Sequence, residues 1–581
     1  MKQLSTKSTK TQKITSRKFT LAFAGILIGA SVFLSCAGGH LGKNNSGEFR
    51  NGMVVSASEY ASEVGVDILK RGGNAVDAAV AVQFALGVVY PNAGNIGGGG
   101  FMVYRSAKGE INSLDFREKA AGTASRDMYL DEKGNPIVAK SLYGQLAAGV
   151  PGSVAGMVEA HQKYGKLKWA DLVEPSIRLA EDGFKITERQ AKELNGLKQR
   201  FKKLNPLGTA LLNENTWKEG DVLKQQELAN TFKLIKEKGR AGFYDGAVAD
   251  SIVLEMKRGG GIISKQDLKD YQAIWRKPVT GKYRGYEITT MPPPSSGGIA
   301  LVQLLKAVEP FPLSKWGFNA DSTVQLMVEA ERRVYADRAA HLGDPDFYPV
   351  PQVKLTDDTY IKQRMSTLNW NKASTSAEIG AGEIAPAEHE ETTHFSIVDK
   401  EGNAVSITTT LNGSYGAGVV VKGAGFLLNN EMDDFSVKPG APNMYGLVGG
   451  EANAIAPNKR MLSSMSPAIL SKDGELFMVV GTPGGSTIIT SVFQTILNVI
   501  DFNKPMQAAV SAKKFHHQWL PDHVEVEEGA IDSLTSSKLQ AKGYKLVKRG
   551  PIGRVDAILK TKWGYYQGGA DPRGDDKAVG W

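Results

Sequence analysis

The 581-residue sequence contains a single cysteine, Cys36, which excludes an internal disulfide; its place at the end of the amino-terminal uncharged stretch makes cysteine-based catalysis unexpected. It also lacks any long basic run beyond residue 20: six of its nine net positive charges lie in residues 1–20, leaving about +3 over everything that follows. That distribution argues against nucleic acid as a partner. The four-glycine run Gly97 to Gly100 lacks the Gly-Lys-Ser/Thr ending of a phosphate-binding loop, so tight backbone packing is its expected role. The acid-rich segment Leu428 to Ser436 has no EF-hand spacing and no histidine. His516-His517 has no cysteine or spaced carboxylate beside it, so it is read as structural, and no metal or other cofactor is expected. There is no internal repeat and no linker between independent domains. What remains is of globular composition, 41% hydrophobic and 23% charged, in a chain long enough to bury a large core.

The amino end is an export segment, residues 1–37. Its six basic residues precede the uncharged stretch Phe19 to Leu34, which is followed by small residues. Cys36 lies where a bacterial lipoprotein would carry its lipid; the alternative is plain signal cleavage after Ala37. Either way the expectation is a protein of the bacterial periplasm or cell envelope, touching a membrane only through a lipid anchor at Cys36.

The densest chemical signal is Thr392-Thr393 at the head of an alternating run. Thr392 to Asp399 and Ala404 to Thr410 are β-branched at a period of two, with turn residues between them, which predicts a hairpin. The preceding residues 373–391 are rich in Ala, Glu, Ser and Gly, with one Pro and no periodic apolar face, predicting a mobile leader. A threonine hydroxyl needs a base, and an α-amine freed by cleavage between Glu391 and Thr392 would be one, titrating near ~7.7–8.0. The plainer alternative is two threonines that begin a strand.

Elsewhere the pattern is helical before residue 391 and strand-rich after 392. Helices are predicted over 63–69, 75–88, 155–164, 169–181, 225–236, 324–341 and 487–500, the second apolar almost all round and the sixth amphipathic. Helices and strands together predict a layered α/β sandwich spanning both parts. Arg117, between Asp115 and Glu118, can fork a carboxylate or serve as a structural ion pair. The turn Gly481 to Ser486, between a strand and a helix, could offer backbone N–H groups to an oxyanion.

Thr392-Thr393-His394 with Asn412, Glu431 to Asp434, Ser463 to Pro467 and Pro483-Gly484-Gly485 closely resembles the γ-glutamyltranspeptidase family. Upstream, Pro91 to Gly100, Asp115 to Glu118, Pro292 to Gly298 and Leu342 to Asp346 continue the resemblance in the family's order, from about Met53 to Arg573. It implies an N-terminal-nucleophile hydrolase αββα four-layer sandwich. A large chain (38–391) and a small catalytic chain (392–581) would form it jointly as a heterodimer after autocleavage. It implies Thr392 as nucleophile with Thr410 hydrogen-bonded to it. Arg117, Ser463 and Ser464 would hold a substrate α-carboxylate, and Asn412, Glu431 and Asp434 its α-amino group. Gly484 and Gly485 would face the oxyanion, and Tyr445 would tip a lid loop over 438–446. The implied substrates are glutathione and other γ-glutamyl compounds, with water, amino acids or dipeptides as acceptors. The rivals are a β-lactam side-chain (cephalosporin) acylase of the same superfamily, which needs no amine clamp, and a catalytically inactive surface lipoprotein. Two positions depart from expectation: Glu431 is acidic where some relatives carry an amide, and Lys513-Lys514 stands where Pro-Arg is expected.

Overall fold

The computed structural model describes residues 48–379, 392–441, 443–444 and 446–581. The export segment with Cys36, the residue Glu391 before the expected cut, and the lid tip Tyr445 lie outside the described residues.

Two seven-stranded sheets form the centre. One runs in the order 577–580, 53–56, 393–398, 404–410, 99–105, 111–115, 274–276; the other runs 48–49, 566–570, 556–560, 475–481, 468–472, 286–290, 279–283. Both sheets draw strands from before and after the expected cut, so neither part holds a complete sheet. The predicted hairpin is central to the first sheet, with Thr393 opposite Thr409 and Val398 opposite Ala404.

Its period of two is the reason for the layering. Phe395, Ile397, Val405 and Ile407 face an outer helical core that includes helices 59–70 and 75–89. Fully burying such side chains contributes roughly 1.5–3 kcal/mol each. Val398 and Ala404 join Ile469, Val479 and Ile558 of the second sheet between the layers. The second sheet is covered outside by helices 297–308, 321–341, 487–500 and 506–511. Helix, sheet, sheet, helix is the expected sandwich.

The predicted helices are present with shifted ends. The first spans Glu59–Lys70, because Ser58 and Glu59 begin a turn that the apolar pattern does not mark. Asn74 caps helix Ala75–Val89, in a reciprocal pair with Asp77. Helix Asp321–His341 is not amphipathic: it is largely buried, and several of its charges are paired within the protein, Arg333 with Glu329 at 2.6 Å and Asp337 with Arg364 at 3.0 Å. The first part of the expected mobile leader is docked. Ala373 N–H donates to Lys542 O (2.8 Å), Ser374 N–H to Glu329 (3.1 Å) and Ser376 N–H to Asp522 (2.7 Å). Backbone-to-side-chain bonds of this kind leave no apolar periodicity to read. Residues 380–391 lie outside the description.

Candidate active site

Thr392, Thr410, Asn412, Arg117, Asp434, Ser463, Ser464 and Gly485 line one cavity of ≈ 20 Å³, together with Arg338, Leu447, Met465 and Ile488. Its size is on the order of one water molecule. It is small because the charged side chains around it close on one another.

Thr392 is 4% exposed and leads directly into the central strand. Thr410 ends the partner strand, and its hydroxyl accepts the N–H of Asn412 at 2.7 Å. Asn412 turns the chain at φ 72°, a conformation asparagine tolerates, and its amide donates to Asn430 O at 2.9 Å. The four-glycine run lies against these strands: a Cβ at Gly98 would sit 2.1 Å from Thr410 O. Only a bare α-carbon fits there, which is the packing role expected from the sequence.

His394 is adjacent in sequence yet serves the interior between the sheets. Its Nδ1 shares a hydrogen bond with Thr408 (2.9 Å) and its Nε2 with Ser396 (3.0 Å). Burial pushes it down to about 3, so it stays neutral at physiological pH. Among the described residues, no histidine lines the cavity.

Arg117 is buried against three acids. Its Nη1 is 2.6 Å from Glu431 and 3.5 Å from Glu118, and its Nη2 pairs with Asp434. Burial pushes the Glu118 carboxyl up to about 8 and raises Glu431 and Asp434, while Arg117 pulls all three back down. The guanidinium is held firmly charged by its acids despite its own burial. Arg117 is therefore the structural ion pair of the two alternatives, with its guanidinium buried at the cavity wall. Glu431 does not itself line the cavity; it reaches it through Arg117.

The serines and the glycine turn complete the lining. Ser463 Oγ accepts Met465 N–H at 3.1 Å. Gly484 (φ 137°) and Gly485 (φ 47°) bend the chain between strand Glu475–Gly481 and helix Thr487–Ile500. Gly485 lines the cavity and Gly484 lies one residue back.

A model of the γ-glutamyltranspeptidase family matches residues 61–581. The chain belongs to that family. The glutathione hydrolase proenzyme of Escherichia coli (strain K12) is 48% identical to it, over 92% of each chain. A solved chain of Helicobacter pylori gamma-glutamyltranspeptidase is 45% identical, with a TM-score of 0.55, covering 59% of this chain and 97% of that one. A cephalosporin acylase from Bacillus halodurans is 27% identical with a TM-score of 0.80, covering 95% of this chain and 99% of that one. The fold is thus the N-terminal-nucleophile hydrolase sandwich, and its layers carry the family's motifs to one point.

The fold also places at the site residues that the sequence did not flag. Arg338 lines the cavity, from a helix whose charges looked solvent-facing. Asp433, beside Asp434, accepts the Ser141 hydroxyl (2.7 Å) and the Met444 N–H (2.9 Å), and burial pushes its carboxyl up to about 6. Asn443 Nδ2 donates to Asp434 at 3.2 Å. The described part of the 438–446 loop is thus tied to two neighbouring acids, with Leu447 at the cavity wall. An Asp-Asp pair followed about ten residues later by Asn-Met is too weak a pattern to find by sequence alone. His516 and His517 are structural, as expected. His516 shares a hydrogen bond with Thr490 (2.8 Å), and His517 accepts Trp519 N–H (3.0 Å). Lys514, where an arginine was expected, is buried 3.8 Å from Asp571, to which Arg573 supplies a guanidinium at 2.9 Å.

Proposed function

We propose that the chain is the precursor of an exported γ-glutamyltransferase and glutathione hydrolase that cuts itself before Thr392. The observation that carries this is the meeting of Thr392, Arg117, Asp434, both serines and Gly485 on one cavity. With His394 neutral and turned between the sheets, the base nearest the Thr392 hydroxyl is its own α-amine, which cleavage would create.

In this reading a γ-glutamyl substrate replaces the internal pairs. Its α-carboxylate takes Arg117, Ser463 and Ser464, and its α-ammonium takes Asp434, Glu431 and Asn412. The γ-carbonyl then faces Thr392. The Thr392 Oγ attacks that carbon, and its proton passes to the α-amine. The oxygen becomes an oxyanion beside the Gly484 and Gly485 N–H groups. The C–N bond breaks, the leaving amine takes the proton, and a γ-glutamyl ester remains on Thr392. Water completes hydrolysis; an amino acid or dipeptide amine completes transfer. Large and small chains of one precursor would stay together, since each sheet draws strands from both. Export rests on the amino-terminal segment alone.

The test is the intact mass of the purified protein and of Thr392→Ala, with release of γ-glutamyl anilide. The wild-type should yield a fragment beginning Thr-Thr-His-Phe, and the variant should neither divide nor turn over. Turnover surviving in the variant removes Thr392 as nucleophile. The acylase reading is disfavoured by the buried acids around Arg117, which a glutaryl-type acyl group does not need. Asp434→Ala should abolish γ-glutamyl turnover; an unaffected variant would favour the acylase.

A further inference from the structure

Arg338 stands on helix Asp321–His341, is 5% exposed, and turns its guanidinium toward the cavity. Its Nε donates to Ser296 Oγ at 2.9 Å and its Nη2 to Ser464 Oγ at 3.2 Å. Among the described residues it forms no ion pair. Arg117, the other cation on the cavity, has three acids around it. A guanidinium taken out of water without a carboxylate is expensive, and a bound anion is the ordinary compensation. Burial accordingly presses Arg338 below the usual arginine range.

The hydroxyls beside it give the same direction. Ser464 Oγ accepts from Arg338, and Ser463 Oγ accepts from the Met465 N–H. A hydroxyl that already accepts from an N–H has its own hydrogen left to donate. Both serines line the cavity with Arg338, whose one attracting carboxylate, Asp434, is already paired with Arg117.

We propose that Arg338 is a positioning and specificity residue for the substrate's α-carboxylate. It holds Ser464 so that the hydroxyl donates into the cavity, and it supplies the positive potential that Arg117, shared among three acids, does not. This rests on the γ-glutamyl reading above and adds to its α-carboxylate clamp a second guanidinium behind Ser464. Lysine would not replace the fork, because one ammonium on a flexible stem cannot hold Ser296 and Ser464 in fixed geometry.

Processed wild-type, Arg338→Gln and Arg338→Lys are assayed with L-γ-glutamyl anilide and with 4-aminobutyryl anilide, the same acyl group without its α-carboxylate. For the glutamyl substrate, Arg338→Gln should raise KM about tenfold or more. Its kcat should stay within about threefold, as removal of ground-state binding requires. For the 4-aminobutyryl substrate kcat/KM should not change, and Arg338→Lys should fall between. Equal losses on both substrates, or a fall in kcat at constant KM, overturn the proposal. If the Gln variant does not divide into its two chains, Arg338→Lys carries the same comparison. If the wild-type turns over neither anilide, the γ-glutamyl reading fails separately. Thermal protection by L-glutamate against 4-aminobutyrate then reads the clamp. Protection favouring glutamate in wild-type and lost in the variant supports it; equal protection overturns it.

Discussion

Arg117 Nη1 lies 2.6 Å from Glu431 Oε2, so the expected carboxylate arm and the expected ammonium arm of the site hold each other. Substrate binding is then an exchange of ion pairs within a buried cluster, and it requires both charges of the incoming zwitterion. Arg117→Ala should therefore do more than abolish binding. It leaves Glu118, Glu431 and Asp434 buried without their cation, and breaking such a pair costs about 3–5 kcal/mol. The three acids, already raised by burial, should then keep their protons to higher pH than in the unfolded chain. The folded state binds the extra protons, so the variant should lose stability as pH rises through neutrality. Urea unfolding at pH 5 and pH 8 checks the sign.

Asp433 gives a prediction that separates the 438–446 loop from the chemistry. Its carboxylate takes the Met444 N–H and the Ser141 hydroxyl. Asp433→Ala should free the loop and raise KM for γ-glutamyl anilide roughly fivefold, the equivalent of about 1 kcal/mol for one such bond. Asp433→Asn keeps an acceptor for Met444 and should restore most of the loss. Because burial pushes Asp433 up to about 6, the folded chain keeps a proton that the unfolded chain releases near ~3.9. Its contribution to stability is thus present below that window and lost as pH rises through about 6. That component should be missing from the unfolding profile of the Asn variant. An Ala variant with wild-type KM would end the latch.

The hairpin and the glycine turns were legible in the sequence because each has a local cause: a period of two for Phe395 and Ile397, and positive φ for Gly484 and Gly485. The motif order carried the rest of the cavity, including Ser463 and Asn412. Arg338 and Asp433 were not legible. Arg338 lies in a helix where charge spacing imitates a solvated face, and only the packing of residues 364, 374 and 522 against it shows that the face is buried. Asp433 acts through contacts 292 residues back and 11 residues on, a separation that no local pattern encodes. The docked residues Ala373 to Ile379 were missed for the same reason, since their partners are Lys542, Glu329 and Asp522.

Gly98 tests the backbone beneath the site. A methyl there would meet Thr410 O at 2.1 Å and the Asn95 amide at 2.8 Å. Neither can retreat cheaply, because Asn95 Nδ2 already donates to Thr410 O at 2.9 Å and the strand holding Thr410 is central. Gly98→Ala should lower stability by about 1–3 kcal/mol through overpacking. It should also slow release of the fragment beginning at Thr392, since Thr410 must shift. Gly109→Ala, at an exposed turn with only Arg105 within 4.0 Å, should leave release unchanged. Equal release from Gly98→Ala and wild-type would mean that Thr410 is not coupled to cleavage.

Lys514 offers the clearest alkaline test. It is fully buried, its ammonium donates to Val510 O (3.0 Å) and Ala512 O (3.3 Å), and Asp571 is 3.8 Å away. Burial outweighs that carboxylate and pushes the group down to about 8. An unfolded lysine keeps its proton to ~10.4. Between these values the unfolded chain binds more protons than the folded one, so stability should rise with pH across that window. Lys514→Met should remove the rise and be more stable than wild-type below about 8, where the buried charge is fully present. Arg573 keeps Asp571 and Glu527 paired at 2.9 Å and 2.7 Å, so the methionine strands no acid. Thermal unfolding of both proteins at pH 7 and pH 10 reads the difference, and a parallel pair of profiles would mean that Lys514 is neutral or solvated throughout.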